Sequence, residues 1–180
     1  MEKSALIRLL NAFETVVLAH EVLSDTDKNL PMLMEAALVG PPRLRWRAAF
    51  VSDMVERHTP GLLMPWIDDI TRKLAHEEHA GCRRQYLKTI SLYPIHPEKQ
   101  GFLADYCLER LDKKEPPAVK AHAMQILYNL SQVEPALKPE LLEVFTFLLE
   151  QNESAGISAR ARNLARKLSG ELHRRPTELD

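Results

Sequence analysis

Apolar residues recur along this chain at intervals of three and four, the spacing that lines one face of an α-helix. The first such stretch covers about residues 4–23. Its apolar stripe consists of Leu6, Leu9, Leu10, Phe13, Val16 and Val17. No stretch alternates apolar and polar residues convincingly over the length of a strand. The pattern therefore predicts an all-α protein.

Proline, glycine and short polar segments divide the periodic stretches into about nine helices. The predicted helices cover about residues 4–23, 31–39, 43–58, 62–77, 80–92, 97–112, 118–133, 139–150 and 156–169. We expect residues 1–169 to form a single domain. Residues 170–180 are charged and contain Pro176, so we expect them to form a flexible C-terminal tail.

A short phrase of basic and small residues opens four of these helices. It occurs as Leu44-Arg45-Trp46-Arg47-Ala48, Cys82-Arg83-Arg84, Val119-Lys120-Ala121-His122-Ala123 and Ser158-Ala159-Arg160-Ala161. When Arg47, Arg83, His122 and Arg160 are treated as equivalent, the successive steps are 36, 39 and 38 residues. The residue after this anchor is alanine in three copies and Arg84 in the second. A period of this length is typical of stacked two-helix repeats.

The phrase Ala118-Val119-Lys120-Ala121-His122-Ala123 resembles the second-helix signature of HEAT repeats, in which an apolar residue is followed by Arg or Lys and then by a small residue. Leu44-Arg45-Trp46-Arg47-Ala48 fits the same signature. The resemblance covers about residues 30–168. It implies a right-handed α-solenoid of HEAT or armadillo type.

The sequence from Pro117 to Arg160 also resembles a group of small, uncharacterised bacterial HEAT-like proteins. Some relatives of that kind carry a transferred adenylosuccinate lyase label. The Ser-Ser-x-Met-Pro-x-Lys-x-Asn loop of the lyase family is absent from this sequence, and 180 residues are too few for the lyase fold. Lyase activity is therefore not predicted.

Net charge, cysteine content and the charged residues of the first apolar stretch indicate which partners and which compartment to expect. The net charge of −1 gives no global attraction to nucleic acid or to an anionic membrane. The two cysteines, Cys82 and Cys107, form no disulfide framework, which favours a reducing cytoplasm. Charged residues interrupt the first apolar stretch, so it is predicted to be neither a signal peptide nor a membrane span.

One cluster has the residue types of a zinc site. His76 and His79 are three residues apart and Cys82 follows closely, but Gly81 is expected to turn the chain between the last two. The alternative is a polar helix end whose histidines favour the helix dipole. No phosphate-binding loop or nucleophile elbow is found. We therefore predict no catalytic residues, no metal site and no cofactor.

Basic residues in the first turns of equivalent helices are the best candidates for a binding surface. This basic ladder contains Arg45, Arg47, Arg83, Arg84, Lys120, His122, Arg160 and Arg162. The last helix and the tail add Arg166, Lys167, Arg174 and Arg175. Stacked repeats bring such residues side by side, where they either bind an anionic ligand or pair internally with acidic groups of adjoining turns.

The resulting prediction is a non-catalytic scaffold that mediates protein–protein interaction, with an acidic protein as the candidate partner. The alternative is a HEAT-like module that binds nucleic acid through the basic ladder on its inner helices. A membrane partner is not expected.

Overall fold

The computed structural model describes residues 1–173, and this part of the chain is helical with no β-strand. The all-α prediction is confirmed. The helices are α1 (Lys3–Ala12), α2 (Thr15–Ser24), α3 (Thr26–Val39), α4 (Pro42–His58), α5 (Ile67–Leu74), α6 (Ala80–Ile90), α7 (Pro97–Asp112), α8 (Pro117–Val133), α9 (Lys138–Gln151) and α10 (Ala155–His173). Short 3₁₀ turns, Met64–Trp66 and Pro135–Leu137, precede α5 and α9.

The first predicted helix is two helices, which raises the number in the described residues from about nine to ten. Phe13 has a left-handed backbone conformation (φ 58°) between α1 and α2. The N–H groups of Phe13 and Glu14 donate to the carbonyls of Leu10 (3.2 Å) and Leu9 (3.1 Å), which ends α1. The Phe13 ring stacks on Trp46 of α4, with 5.5 Å between ring centroids. We attribute the break to this tertiary contact, because the segment contains neither Gly nor Pro.

The second predicted helix begins earlier than its proline suggested. α3 begins at Thr26, and Pro31 lies inside it rather than in its first turn. The Asp25 side chain accepts a hydrogen bond from the Lys28 N–H (3.3 Å) and caps the helix. The Asp25 cap, rather than Pro31, marks the start of this helix.

The contacts divide the chain into two compact units, and each is described separately. In the first unit, Met1–Tyr93, α4 packs against α2, α3 and α6. α5 pairs with α6. The buried core includes Leu18, Val22, Leu33, Ala48, Val51, Val55 and Leu87. α2, α4 and α6 thus form a layer in chain order, with α3 packed on α2 and α4.

The second unit begins at Pro94 and contains two helix pairs, α7 with α8 and α9 with α10. α8 also packs against α10. The core includes Val119, Ala123, Ile126, Phe145, Ala161, Leu164 and Leu168. α10 continues through His173, past the predicted domain end at residue 169, and residues 174–180 lie outside the described part of the chain. The single domain over residues 1–169 stays a prediction.

Burial corrects the predicted register of the second repeat. Ala48, Ala123 and Ala161 are buried, but Arg84 is exposed. Cys82 is fully buried and occupies the small-residue column in α6, two positions before the predicted one. The repeat steps are therefore 34, 41 and 38 residues, measured over positions 48, 82, 123 and 161.

The corrected register places Gly81 at the position that Arg47 occupies in α4. A Cβ atom at Gly81 would lie 2.6 Å from Cδ1 of Trp46 and 2.9 Å from Cε1 of His79. A side chain at this position would therefore require the Trp46 ring and the His79 imidazole to shift. α6 therefore has glycine where α4 has Arg47, because the Trp46 ring of α4 packs against this position.

Candidate interaction surface

Arg45 and Lys120 occupy the same position in their repeats, three residues before the buried alanine, and both pair with a carboxylate. The Arg45 Nη2 atom lies 2.9 Å from Glu77 Oε1, and Lys120 Nζ lies 2.7 Å from Glu153 Oε1. Glu77 lies just before α6 and Glu153 lies just before α10. α6 and α10 are the second helices of the repeats that follow. These two members of the ladder therefore connect a repeat to the one that follows it.

In the Arg45–Glu77 pair the carboxylate is buried and the arginine is 15% exposed. The Glu77 side chain is 0% exposed, and its Oε1 atom also accepts a hydrogen bond from the His79 N–H (2.9 Å). Arg45 Nη1 donates to the Gly40 carbonyl at the end of α3 (2.9 Å). Burial alone lowers the pKa of Arg45, but the hydrogen bond and the charge of Glu77 outweigh it and raise the pKa. Both Nη atoms of Arg45 are therefore engaged in contacts within the fold.

Arg47 and Arg83 bind main-chain carbonyls. Arg47 Nη1 donates to the carbonyls of Leu10 and Asn11 (2.8 Å each) at the end of α1, and its guanidinium lies 4.9 Å from the centre of the Phe13 ring. Arg83 Nη1 donates to the Glu77 carbonyl (3.2 Å) and the Glu78 carbonyl between α5 and α6. Arg47 satisfies carbonyls in the last turn of α1, and Arg83 satisfies carbonyls that follow the end of α5.

The remaining ladder residues divide into half-buried and exposed ones. His122 and Arg160 are half-buried, and Arg160 Nη1 donates to Gln125 Oε1 of α8 (3.1 Å). Arg84 and Arg162 are exposed, and within residues 1–173 neither forms a hydrogen bond or an ion pair. The ladder is therefore not one continuous surface of free cations.

Within residues 1–173, the largest group of exposed cations without a carboxylate partner in one helix lies on α10. Arg162 and Arg166 are four residues apart and Lys167 follows, so the three side chains lie on neighbouring stripes of one exposed side. Lys167 Nζ lies 5.3 Å from the centre of the Tyr128 ring. We call these three residues the α10 basic face. Arg174 and Arg175, which the sequence adds to this group, lie outside the described residues.

Glu171 is the only carboxylate in α10, and other groups hold it. Tyr128 Oη donates to Glu171 Oε1 (2.6 Å), and Lys138 Nζ lies 2.9 Å from Oε2. Burial raises the pKa of Glu171, but the hydrogen bonds from Tyr128, Lys138 and Gln132 outweigh burial and lower the pKa to about 2. Glu171 is thus held by groups of α8 and α9, and it shares its contact with Tyr128 with Lys167 of the α10 basic face.

Two residues of the zinc hypothesis, His79 and Cys82, lie at the start of α6 and bond to each other there. His79 Nδ1 accepts a hydrogen bond from the Cys82 N–H (3.3 Å), so the imidazole caps the helix. The Cys82 sulfur faces the Pro42 carbonyl at 3.8 Å, and burial raises the pKa of this thiol to about 11. His76 is exposed. No set of three His, Cys, Asp or Glu residues in the range 1–173 is arranged to hold a metal ion.

The comparison with known protein families agrees with the repeat geometry. A family model described as a HEAT repeat domain matches residues 3–168. The chain belongs to the HEAT repeat family. The HEAT match includes α1 and α2, which lie before the segment, about residues 30–168, that carried the resemblance in the sequence.

No curated protein and no solved structure matches the chain significantly. Among the described residues of this HEAT protein, no helix is long and apolar enough to cross a membrane. The acidic partners of the ladder, Glu77 and Glu153, were not identified from the sequence. Their position directly before a second helix is the signal they share.

Proposed function

We propose that this HEAT protein is a non-catalytic scaffold that binds an acidic segment of a partner protein through the α10 basic face. HEAT repeats are commonly protein-interaction scaffolds. The observation that carries the proposal is the contrast between Arg45 and Lys120, which are paired with carboxylates and at most 15% exposed, and the exposed cations of the α10 basic face. Arg162 and Arg166 are available to a ligand without breaking contacts of the fold, and Lys167 has only its contact with the Tyr128 ring to give up.

The size of the α10 basic face favours a protein segment over a nucleic acid. Arg162 and Lys167 are five residues apart, or about 8 Å along the helix. A few carboxylates of a peptide match this length, whereas duplex DNA presents one charge about every 1.7 Å over a longer track. The whole chain also has a net charge of −1, which opposes extended contact with a polyanion.

A non-catalytic role is supported by the chemistry of the nucleophilic groups. Burial raises the pKa of Cys82 and Cys107, which disfavours the reactive thiolate form of both. The polar side chains of the ladder are mostly held in contacts within the fold. Both cysteines are free thiols, which supports a reducing compartment, and we propose the cytoplasm.

The test compares two triple variants with the same change in charge. Arg162, Arg166 and Lys167 are replaced by Gln in one, and Arg8, Lys28 and Lys114, which are also exposed, are replaced by Gln in the control. Binding of a fluorescein-labelled glutamate-rich peptide is followed by anisotropy. Each exposed ion pair contributes about 0.2–1 kcal/mol, so the first variant is expected to bind about tenfold more weakly and the control to bind like the wild type.

A duplex DNA probe in the same buffer decides between the two predicted partners. The proposal expects weaker binding to DNA than to the peptide. Tighter DNA binding that is lost in the α10 variant would establish the nucleic-acid alternative. Failure to bind the peptide, or equal losses in the two variants, would reject the α10 basic face as the binding surface.

A further inference from the structure

Three aromatic side chains of the first unit form a cluster that is partly open to solvent. Phe13, between α1 and α2, stacks on Trp46 of α4 with 5.5 Å between ring centroids, and its centroid lies 5.9 Å from that of Phe50. Phe13 is 39% exposed, and Trp46 and Phe50 are half-buried. We call these three residues the aromatic cluster. It presents apolar surface to water, and such surface favours contact with an apolar or aromatic side chain.

Cations of α4 and α6 lie beside the aromatic cluster. Asp53 and Arg57 continue the side of α4 that carries Phe50, because the three positions are separated by three and four residues. The Asp53 side chain is 2% exposed, and its carboxylate lies 3.2 Å from Arg57 Nε and 2.7 Å from Lys88 Nζ of α6. Two cations therefore share one buried carboxylate next to the rings.

Arg84 of α6 adds a third cation. Gly81 packs against the Trp46 ring at the start of α6. Lys88 reaches Asp53, so α6 runs alongside this part of α4. Arg84 lies between these two contacts on the same side of α6, three residues after Gly81 and four before Lys88. It is exposed, and it forms no hydrogen bond or ion pair within residues 1–173.

The charge beside the aromatic cluster is positive even when the neighbouring acidic residue is counted. Glu14 follows Phe13 in the chain and is exposed. With Glu14 and Asp53 included, the cations Arg57, Lys88 and Arg84 outnumber the carboxylates three to two. Asp53 is also buried and engaged by two of these cations. An aromatic side chain flanked by carboxylates therefore complements this surface.

We propose that the aromatic cluster and the cations beside it bind a protein segment in which an aromatic residue is flanked by Asp or Glu. The aromatic side chain of that segment packs against the rings of Phe13 and Phe50. Its carboxylates pair with Arg84, which has no contact to give up, and with Arg57. This surface belongs to the first unit and the α10 basic face to the second, so neither proposal rests on the other.

The surroundings of the rings favour a protein segment over a single-stranded nucleic acid. Bases bind by stacking on open ring faces. Trp46 stacks on the Phe13 ring, and the Arg47 guanidinium also lies over that ring, 4.9 Å from its centre. An incoming aromatic side chain can still meet the ring edges, in the tilted arrangement that Phe13 and Phe50 already adopt. Two of the three cations are also held by Asp53, so they do not form a track for successive phosphates.

The experiment uses protein in which Arg162, Arg166 and Lys167 are replaced by Gln, so that the α10 basic face does not contribute. Two fluorescein-labelled peptides of equal length and charge are compared by anisotropy, one of glutamate and phenylalanine and one of glutamate and serine. The glutamate–phenylalanine peptide is expected to bind at least tenfold more tightly, because only its rings pack on the aromatic cluster. Equal binding of the two peptides would overturn the proposal.

Tryptophan fluorescence tests where the glutamate–phenylalanine peptide binds. Adding Trp66→Phe to the same protein leaves Trp46 as the only tryptophan. The unlabelled peptide should shift the Trp46 emission to shorter wavelength, because it excludes water from the cluster. Binding with unchanged Trp46 emission would place the peptide elsewhere and reject the aromatic cluster as its site.

Two further variants, each with a matched control, test the cation and the ring separately. Arg84→Gln should weaken binding of the glutamate–phenylalanine peptide about threefold and make it less sensitive to salt, whereas Lys114→Gln, at an exposed cation of the second unit, should change neither property. Phe50→Leu should also weaken binding about threefold through the lost ring. Phe147→Leu is its control, because Phe147 is 58% exposed on α9.

Two other results would overturn the proposal. One is an equal effect of each variant and its control. The other is tighter binding of single-stranded oligothymidine than of the peptide, lost in Arg84→Gln, because the ligand would then be a nucleic acid. Since every measurement uses protein that lacks the α10 cations, failure here leaves the proposal for the α10 basic face unaffected.

Discussion

Lys120 and Glu153 form a 2.7 Å salt bridge in which the cation is the buried partner: the side chain of Lys120 is 2% exposed and that of Glu153 is 42% exposed. The glutamate precedes α10 and the lysine lies in the first turns of α8. A buried ammonium depends on its carboxylate more than the half-exposed carboxylate depends on the ammonium. The same position in the first unit, Arg45, also pairs with a glutamate of the next repeat.

The Lys120–Glu153 pair should therefore respond asymmetrically to mutation. Glu153→Ala leaves a buried charge without compensation and should lower the free energy of unfolding by about 3 kcal/mol. Lys120→Met keeps the apolar stem and returns Glu153 to water, so it should cost about 1 kcal/mol or less. Urea denaturation of both variants provides the measurement. Equal losses would mean that the burial of Lys120 does not determine the strength of the pair.

The corrected register of α6 predicts opposite effects at two neighbouring positions. Cys82→Glu places a carboxylate in a fully buried site and should destabilise the protein by several kcal/mol. Arg84→Glu changes an exposed side chain and should alter stability by no more than about 0.5 kcal/mol. Thermal melting distinguishes the two, and the reverse order would restore the register read from the sequence.

The same contrast should hold in the second unit. Ala123 is fully buried in α8, so Ala123→Glu should destabilise by several kcal/mol. Glu143 of α9 is exposed, and Glu143→Ala should change the free energy of unfolding by about 0.5 kcal/mol or less. Similar melting temperatures for the two variants would show that α8 does not present Ala123 to its neighbours.

The arginines that bind within the fold should affect stability rather than ligand binding. Arg47, Arg83 and Arg160 donate hydrogen bonds to groups of their own units. Replacing all three by Gln should cost about 1 kcal/mol for each arginine. Binding of the glutamate-rich peptide, measured well below the melting temperature, should stay at the wild-type level. Lost binding with unchanged melting would instead make these residues part of the ligand surface.

Stability should decline in acid through Glu171. Its pKa is lowered to about 2 in the folded protein, whereas an unperturbed glutamate titrates near pH 4.3. Its contribution is therefore fully present above about pH 4.3 and is lost as the pH falls toward 2. Unfolding free energies measured over this range should fall less steeply for Glu171→Gln. An unchanged slope would show that the contacts with Tyr128 and Lys138 do not favour the ionised form.

The sequence by itself determined the helices and their repetition, because both depend on the local spacing of apolar residues and on Pro and Gly between them. The equivalence of Ala48, Ala123 and Ala161 in their repeats followed from that spacing, and all three alanines are buried. The order of helices and the HEAT resemblance needed no long-range information. The basic residues that open α4, α8 and α10 were also visible as a set.

Tertiary structure decided where these patterns are interrupted and which charges remain free. The break at Phe13 depends on the ring of Trp46, and the shifted register at Cys82 depends on the same ring packing against Gly81. Arg45 and Lys120 find carboxylates 32 and 33 residues away, a distance at which local patterns carry no pairing information. Because charge pairing depends on three-dimensional proximity, only the fold separates the structural cations from those exposed on α10.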